Sequence, residues 1–246
     1  MESSGPPFRQ QVVVVTGATG AIGNAIASRL RAGGATLCLV GRTPENLASL
    51  EESFKGSDTG VHLFRVDLTS DQQVEEFGVD IKRRFGSLHT LVHSAGTIAM
   101  ERIHAAKIQD LDHQYRVNLR APYVLTQSLL PLLIQSRGQI VFVNSSAGLN
   151  ARKGAGQYAA TKHALRGFAD SLREEVNEEG VRVLSVYLGR TASRMQAAVY
   201  EREGRPYDPT VLLQPDDVAS VVVHALTLPR TAEVTDISMR PFKKSY

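Results

Sequence analysis

The 246-residue sequence predicts an α/β fold, a doubly wound and mostly parallel sheet of seven strands with helices on both faces. Short runs of Val, Ile and Leu alternate along the chain with longer amphipathic stretches, which is the order that strand–helix–strand crossovers require. The apolar runs lack polar alternation, as expected of strands that are covered on both faces. The content of 42% hydrophobic residues is enough for a substantial core.

The elements follow from these patterns in chain order. The apolar runs predict strands at 12–16, 36–41, 61–66, 88–93, 139–145, 181–187 and 234–239. The amphipathic stretches between them predict helices at 20–33, 44–55, 71–84, 107–136, 155–178 and 216–227. The segment 189–214 has neither pattern, and a loop of this length in a compact domain usually serves binding, so we expect a substrate lid there.

The chain shows no composition shift, linker or repeat that would divide it. We therefore expect one domain over 11–246. Residues 1–10 are polar and rich in glycine and proline, and they predict a flexible N-terminal tail without the features of a secretory signal.

Charge and cysteine content restrict the partners and the compartment. The 28 Lys and Arg residues and 25 Asp and Glu residues are dispersed and give a net charge of +3, so we expect no nucleic-acid or membrane partner. No apolar run approaches the roughly 20 residues that a membrane-spanning helix needs. The single cysteine, Cys38, lies in an apolar run and excludes a disulfide within the chain and a cysteine metal cluster. These features favour a cytoplasmic protein without a metal.

Three glycines, Gly17, Gly20 and Gly23, join the first predicted strand to the first predicted helix. A helix N-terminus presents free backbone N–H groups and the positive end of the helix dipole, which suits a pyrophosphate. Glycine permits positive φ and a close approach of the ligand. Taken alone, the stretch predicts a dinucleotide loop of the Rossmann type or a purely structural tight turn about equally well.

Arg42 and Thr43 follow the second predicted strand, where a dinucleotide site carries either an acid for the ribose 2′-hydroxyl or a base for a 2′-phosphate. No carboxylate stands at this point. A guanidinium can bind a phosphate through two hydrogen bonds, so NADP(H) is favoured over NAD(H). The alternative is a solvated arginine at a helix start.

Small or polar residues follow two further strands. Asp67 and Leu68 end the third strand, and the Asp67 carboxylate could bind an adenine amine or cap the next helix. Ser94, Ala95 and Gly96 end the fourth strand and leave room for a cofactor against the backbone. Ligands of this fold class bind at the carboxyl ends of strands.

Tyr158 and Lys162 are four residues apart on a predicted helix and therefore share a face. A nearby cation is expected to lower the pKa of the tyrosine toward a range useful for proton transfer. Ser145 closes the fifth strand at the same edge of the sheet, and Asn118 lies inside a helix, where an amide needs a buried polar partner.

With these residues the chain resembles the short-chain dehydrogenase/reductase family, over essentially all of residues 11–240. The resemblance implies that Tyr158 transfers a proton to or from the substrate oxygen and that Ser145 polarises the carbonyl. It further implies that Lys162 holds the nicotinamide ribose and that Asn118 supports a water chain to Lys162.

Pattern and resemblance together assign the cofactor site. The predicted cofactor-binding residues are Gly17, Thr19, Gly20, Ile22, Gly23, Arg42, Thr43, Asp67, Leu68, Ser94, Ala95, Gly96, Asn118, Tyr158, Lys162, Gly189, Thr191 and Ser193. Ser193 matches the position that commonly binds the nicotinamide amide, with Thr191 as a second candidate.

Three departures from the family pattern stand out. Ala21 occupies a usual glycine position, and the resulting glycine spacing is typical of the extended branch of epimerases and dehydratases, whose additional domain this chain is too short to hold. His93 and Ser94 replace paired asparagines, with His93 expected to be a buried structural residue rather than a base. Leu188 replaces a proline before Gly189.

The sequence thus predicts an NADP(H)-dependent oxidoreductase that interconverts a carbonyl and a secondary alcohol on a small-molecule substrate. A non-catalytic NADP(H)-binding regulator and an epimerase or dehydratase with tightly held cofactor remain alternatives. The resemblance also implies a homodimer or homotetramer packed through helices 107–136 and 155–178, with Leu125, Leu129, Leu132 and Leu133 as interface or core.

In the lid, Arg190, Arg194, Arg202 and Arg205 could attract an anion, but Glu201 and Glu203 favour a solvated face.

Overall fold

The computed structural model describes residues 5–55 and 60–243. Within them, seven strands form one sheet in the order β3-β2-β1-β4-β5-β6-β7. The strands are β1 (Val12–Thr16), β2 (Thr36–Gly41), β3 (Val61–Arg65), β4 (Thr90–His93), β5 (Gln139–Ser145), β6 (Arg182–Leu188) and β7 (Asp236–Met239). All pairings between them are parallel, so the predicted doubly wound fold is confirmed and the sheet is parallel throughout.

Helices cover both faces of the sheet. They are α1 (Ala21–Ala32), α2 (Pro44–Ser53), α3 (Asp71–Phe85), α4 (Ile108–Tyr115), α5 (Ala121–Gln135), α6 (Gly156–Val176), α7 (Arg194–Arg202) and α8 (Pro215–Thr227). Among the described residues, no helix has both the length and the apolar character needed to cross a lipid bilayer.

Side-chain alternation along β1 explains the two cores. Val13 and Val15 pack in the cluster that includes Ile26 of α1 and Val222 of α8. Val12 and Val14 pack on the opposite face, where α3, α5 and α6 supply the apolar partners. Both faces of the strand are buried, which accounts for its unbroken valine run.

The helices differ from the sequence-based expectation in two parts of the chain. The helix predicted at 107–136 contains a π-helical turn, Arg116–Arg120, between α4 and α5. The segment 189–214, expected to be irregular, contains α7 and a short 3₁₀ helix, Pro209–Val211. The sequence missed α7 because this helix is short and polar and buries only Tyr200.

The flexible tail expected over 1–10 is wrong for the residues around Phe8. The Phe8 side chain is 1% exposed, and the Phe8 N–H donates to the carbonyl oxygen of Gly33 at 2.8 Å. A Cβ on Gly33 would lie 2.5 Å from the Phe8 ring, so the glycine makes room for this contact. Residues 1–4 lie outside the described residues.

Candidate active site

The carboxyl ends of β4, β5 and β6 surround a cavity of about 200 Å³. The strand order reverses beside β1, between β1 and β4, and such a switch point is where parallel α/β sheets bind ligands. The predicted site residues that line the cavity are Ile22, Ser94, Ala95, Gly96, Ser145, Tyr158, Lys162, Gly189, Thr191 and Ser193. Residues from five separate predicted segments therefore meet at one point.

Ser145 and Tyr158 bring their hydroxyl groups together on the cavity wall, where Ser145 acts on the pKa of Tyr158 as a hydrogen-bond partner. Ser145 ends β5, and its Oγ also accepts from the Ala147 N–H at 3.1 Å, which holds the hydroxyl in place. Tyr158 lies in the first turn of α6 and faces the cavity. The two hydroxyl groups are thus adjacent, although twelve residues separate them in the chain.

Lys162 is 4% exposed, and its Nζ donates to the carbonyl oxygen of Val143 at 3.1 Å. Burial lowers the pKa of Lys162 to about 8. The Asn144 side-chain amide donates to the Lys162 carbonyl at 3.1 Å, so the end of β5 holds this turn of α6 at two points.

The expected lowering of the Tyr158 pKa by Lys162 is wrong for this geometry. Burial raises the pKa of Tyr158, and the hydrogen bond with Ser145 opposes that shift. The Lys162 Nζ lies over the Tyr158 ring, 5.8 Å from its centre, and is directed to the Val143 carbonyl. The phenol is therefore in its protonated, proton-donating form at neutral pH.

Asn118 is fully buried in the π-helical turn. Its Oδ1 accepts from the Thr97 N–H at 2.8 Å, and its Nδ2 donates to the Thr97 carbonyl at 2.9 Å and to Thr161 Oγ1 at 3.0 Å. A Cβ added to Gly96 would lie 3.5 Å from Asn118 Oδ1 and 3.8 Å from Lys162 Nζ, so both side chains approach the same glycine. The amide thus has the buried polar partners that its position in a helix demands.

The glycine stretch packs against the end of β4. Gly17 has φ +65°, and a Cβ there would lie 2.6 Å from Ala95 Cα. A Cβ on Gly23 would lie 2.4 Å from the Gly17 carbonyl oxygen. Gly20 is the N-cap of α1, and Ala21 is the first helical residue, so the alanine lies where its φ is helical. Ala21 therefore leaves the turn undisturbed.

Thr16 connects the same two strand ends. Its Oγ1 accepts from the Ala95 N–H at 3.3 Å and donates to the Val92 carbonyl at 3.4 Å. This pair of hydrogen bonds keeps Ser94, Ala95 and Gly96 close to the glycine stretch.

Arg42 and Asp67 lie at the far end of the site, after β2 and β3 respectively. Arg42 is exposed, and Thr43 is the N-cap of α2 but makes no capping bond through its hydroxyl. The pKa of Asp67 is lowered mainly by hydrogen bonds from Thr69, and the positive charge of Arg42 lowers it further. Gly41 packs against Thr19, because a Cβ there would lie 2.8 Å from Thr19 Cγ2.

The helix-capping alternative for Asp67 is wrong. Ser70 is the N-cap of α3 and accepts from the Gln73 N–H. Asp67 instead accepts from the backbone and hydroxyl of Thr69, at 2.9 and 2.8 Å. Leu68 is partly buried against the core.

The lid residues are held by their own hydrogen bonds. Thr191 Oγ1 donates to the Gly189 carbonyl at 3.2 Å. Ser193 is the N-cap of α7, and its Oγ accepts from the Gln196 N–H at 3.1 Å and donates to the Thr191 carbonyl at 3.2 Å. The spacing Ser193-x-x-Gln196 is a helix-start signature that could have located α7 from the sequence.

The solvated lid face expected for the arginines is wrong for Arg190. Arg190 Nη2 lies 2.7 Å from Glu203 Oε1, their side chains are 18% and 22% exposed, and both residues line the cavity. The guanidinium groups of Arg190 and Arg205 stand 4.6 and 5.2 Å from the centre of the Tyr200 ring. This lid cluster, Arg190, Tyr200, Glu203 and Arg205, joins the end of β6 to the C-terminal end of α7.

His93 is a buried structural residue, as expected. It is 3% exposed, its Nε2 lies 2.9 Å from Thr126 Oγ1, and its ring stacks on Phe142. Burial lowers the pKa of His93 to about 3, so the imidazole is neutral. His89 Nδ1 accepts from the Val12 N–H at 3.1 Å, which likewise assigns that histidine a structural contact.

Several cavity-lining residues carried no expectation of a site role. They are Ile98, Met100, Asn144, Ser146, Ala147, Arg152, Ala155, Gln196 and Val199. Gln196 and Val199 lie on α7, which the sequence did not predict. Asn144 lies near the end of β5, and the others lie in the segments that follow β4 and β5. Loop residues at such positions have no periodicity that would reveal them.

Comparison with known proteins adds the following relationships. Residues 11–204 match the short chain dehydrogenase family. An uncharacterized oxidoreductase of Staphylococcus aureus strain USA300 is 32% identical over 234 residues, which cover 94% of this chain and 97% of the relative.

Two solved structures are similar over almost their whole length. One is a metagenomic short-chain oxidoreductase in complex with NADP, with 29% identity and a TM-score of 0.83, covering 97% of this chain and 100% of that one. The other is an alcohol dehydrogenase of the archaeon Thermococcus sibiricus complexed with 5-hydroxy-NADP, with 25% identity and a TM-score of 0.86, covering 96% and 99%.

Proposed function

Because this chain belongs to the short chain dehydrogenase family and is an NAD(P)-dependent oxidoreductase, we propose that it interconverts a carbonyl group and a secondary alcohol with NADP(H). The observation that carries the proposal is that Ser145 and Tyr158 present neighbouring hydroxyl groups on the wall of a cavity that Lys162 also lines. No other side-chain pair is needed to bind and protonate a carbonyl oxygen.

The residues at the switch point fit a dinucleotide. The N-terminus of α1 is capped by Gly20, which has no side chain to occupy the first-turn N–H groups, so these can bind a pyrophosphate. Gly17 and Gly23 allow the close packing that shapes this turn, because a Cβ at either position would meet backbone atoms of Ala95 or Gly17. When bound, NADPH supplies a hydride to the substrate carbonyl carbon and leaves as NADP⁺.

Tyr158 donates its hydroxyl proton to the substrate oxygen as the new C–H bond forms. Its raised pKa keeps the proton available at neutral pH. Ser145 donates a hydrogen bond to the same oxygen and stabilises the developing negative charge. In the reverse direction Tyr158 accepts the alcohol proton.

Lys162 and Asn118 support this step without touching the reacting carbonyl. Lys162 would hold the nicotinamide ribose of the bound cofactor through its ammonium group. The Asn118 side chain binds Thr97 and Thr161 and so fixes the two segments that carry them. A proton returns to Tyr158 between these two segments. Thr191 and Ser193 would hold the nicotinamide amide of the bound cofactor.

Tyr158→Phe tests the reaction. The variant should still bind NADPH with unchanged affinity, measured by the fluorescence of bound NADPH, yet lose carbonyl-dependent NADPH oxidation by at least about a thousandfold, within the range for a lost acid and its hydrogen bond. Equal turnover in the variant would refute the proposal. NADPH binding without turnover of any carbonyl by the native chain would favour a regulator, and conversion without net NADPH consumption would favour an epimerase or dehydratase.

The preference for NADP(H) rests on Arg42. Its exposed guanidinium follows β2, beside Thr43, where the 2′-phosphate of NADPH would lie. Arg42→Asp should weaken NADPH binding by about 10- to 100-fold, the value of a lost charge-assisted hydrogen bond, and leave NADH binding equal or better. The exposed Arg9, remote from this edge, gives the control Arg9→Asp. An unchanged ratio of the NADPH and NADH dissociation constants would remove the assignment.

We also propose a cytoplasmic homodimer or homotetramer. Cys38 is buried and burial raises its thiol pKa to about 12, which suits a chain without disulfides. Leu125, Leu129, Leu132 and Leu133 are core residues, so an interface would use exposed residues of the same helices, Tyr115 and Tyr123, which are 45% and 50% exposed. Light scattering during gel filtration tests this, and a monomer at micromolar concentration would contradict it.

A further inference from the structure

Four charged side chains line the cavity, and three of them have partners. Lys162 donates to the Val143 carbonyl, and Arg190 and Glu203 form an ion pair. The fourth is Arg152, which is exposed and also lines the cavity. Across residues 5–55 and 60–243, no hydrogen bond or ion pair involves its guanidinium.

Arg152 lies between Ser145 and Tyr158 in the chain, in a turn that a backbone hydrogen bond holds. The Ala155 N–H donates to the Arg152 carbonyl at 3.1 Å and closes a tight turn in which Gly154 has φ +79°. This turn directly precedes α6, which carries Tyr158, and it follows the 3₁₀ helix at Ser146–Gly148 that begins after Ser145. Arg152 therefore lies at the cavity on the segment that connects Ser145 to Tyr158.

Much of the remaining lining is apolar, including Ile98, Met100, Ala147, Met195 and Val199. Apolar walls favour a hydrocarbon body in the ligand, whereas an unpaired guanidinium favours an anionic end, because Arg binds a planar carboxylate through two parallel hydrogen bonds. Glu203, the acidic side chain on this wall, is neutralised by Arg190. The cavity wall is thus net positive.

We propose that Arg152 binds a carboxylate of the substrate, so that the enzyme acts on short oxo acids and the corresponding hydroxy acids. This assignment rests on the proposed carbonyl–alcohol reaction and names its substrate class. The carboxylate lies at Arg152, the carbonyl carbon lies at Tyr158 and Ser145, and the hydrocarbon chain between them contacts the apolar wall.

Matched pairs of short oxo acids and their methyl esters test the proposal, with initial rates of NADPH oxidation as the readout. The native chain should prefer the acid over the ester by at least about tenfold in kcat/KM, as expected for a hydrogen bond to a charged group. Arg152→Gln should remove this preference by raising KM for the acid, with the ester unchanged within about twofold, because the ester lacks the charge.

Lys153→Gln is the matched control, since Lys153 is the adjacent exposed cation and does not line the cavity. It should leave both substrates unchanged. Equal efficiency for acid and ester in the native chain, or an equal effect of Arg152→Gln and Lys153→Gln, would overturn the proposal.

A binding measurement separates this proposal from the reaction itself. With NADP⁺ present, oxo acids should raise the melting temperature of the native chain and of Tyr158→Phe more than their esters do, and the difference should vanish in Arg152→Gln. If the acids bind in this way but are not reduced, the carbonyl–alcohol reaction fails and the anion site stands. If acids and esters stabilise the protein equally, the anion site fails whatever the activity.

Discussion

Lys162 Nζ donates a hydrogen bond to the carbonyl oxygen of Val143, 3.1 Å away, from a side chain that is 4% exposed. The ammonium is thereby held between β5 and the Tyr158 ring. Burial lowers the pKa of Lys162 to about 8, so this residue loses its charge at a pH where an exposed lysine keeps it.

NADPH binding should therefore weaken as the pH rises through about 8. Lys162 is charged below that pH and neutral above it, and a neutral amine is the weaker hydrogen-bond donor to a ribose. We expect the dissociation constant for NADPH, measured by fluorescence, to increase by about tenfold between pH 7 and pH 9.5, the value of one charge-assisted hydrogen bond. Lys162→Met should bind weakly at every pH, without this inflection. The control variant Lys153→Met should keep the inflection in the pH dependence of NADPH binding. If Lys162→Met keeps it as well, Lys162 is not the group that causes it.

Gly17→Ala should be far more damaging than an alanine at another glycine of the same conformation. Gly17 and Gly86 both have φ +65°, but a Cβ at Gly17 would lie 2.6 Å from the Ala95 backbone, whereas a Cβ at Gly86 meets no atom within 4 Å. Gly86→Ala should cost about 1 kcal/mol, the penalty for positive φ alone. Gly17→Ala should add several kcal/mol and abolish NADPH binding, because backbone atoms must move.

Urea unfolding of the two variants measures the difference. A third variant, Gly154→Ala, repeats the control at φ +79° with open space around it. Equal losses of stability at all three positions would show that conformation, and not the approach to β4, accounts for the glycine.

Arg190 and Glu203 should be energetically coupled. Their pair is only 18% and 22% exposed, so each single variant, Arg190→Met or Glu203→Gln, leaves a poorly solvated polar group and should cost about 1–3 kcal/mol. The double variant should be less destabilised than the sum, with a coupling energy of about 1–2 kcal/mol in urea unfolding. The exposed pair Arg29–Asp216 provides the comparison, and its coupling should stay below about 1 kcal/mol. Additive losses at Arg190 and Glu203 would show that the lid is not held by this pair.

His93 should make the protein sensitive to acid. Burial lowers the pKa of His93 from 6.5 to about 3, so between these values the unfolded chain binds a proton that the folded chain does not. This contribution to stability is complete above pH 6.5 and is lost as the pH falls toward 3, with a slope that approaches about 1.4 kcal/mol per pH unit.

His93→Asn should remove this part of the slope, although it also loses the stacking on Phe142 and starts from lower stability at pH 7.5. Urea unfolding at several values between pH 7.5 and pH 4.5 measures the slope. His104→Asn, at an exposed position, should keep the native slope. If both variants keep it, another group is responsible for the acid sensitivity.

The fold was predictable because its signals are local. The five inner strands, β1, β2, β4, β5 and β6, are mostly apolar runs that are buried on two faces, as in Val12–Thr16. The elements that the sequence missed depend on distant partners. Phe8 is ordered because Gly33 leaves room for its ring, and α7 lies over the site through Arg190 and Tyr200 although it is too polar to be recognised by periodicity.

By itself the sequence determined the fold class, the glycine stretch between the first strand and the first helix, and the placement of Tyr158 and Lys162 on one helix face, since residues four apart share a face. Tertiary structure alone decided which way the pKa of Tyr158 moves, that Arg190 is neutralised by Glu203, and that Arg152 lines the cavity without a partner among the described residues. The physical reason is that burial and charge pairing depend on distances between elements far apart in the chain, whereas periodicity and spacing report only on neighbours within one element.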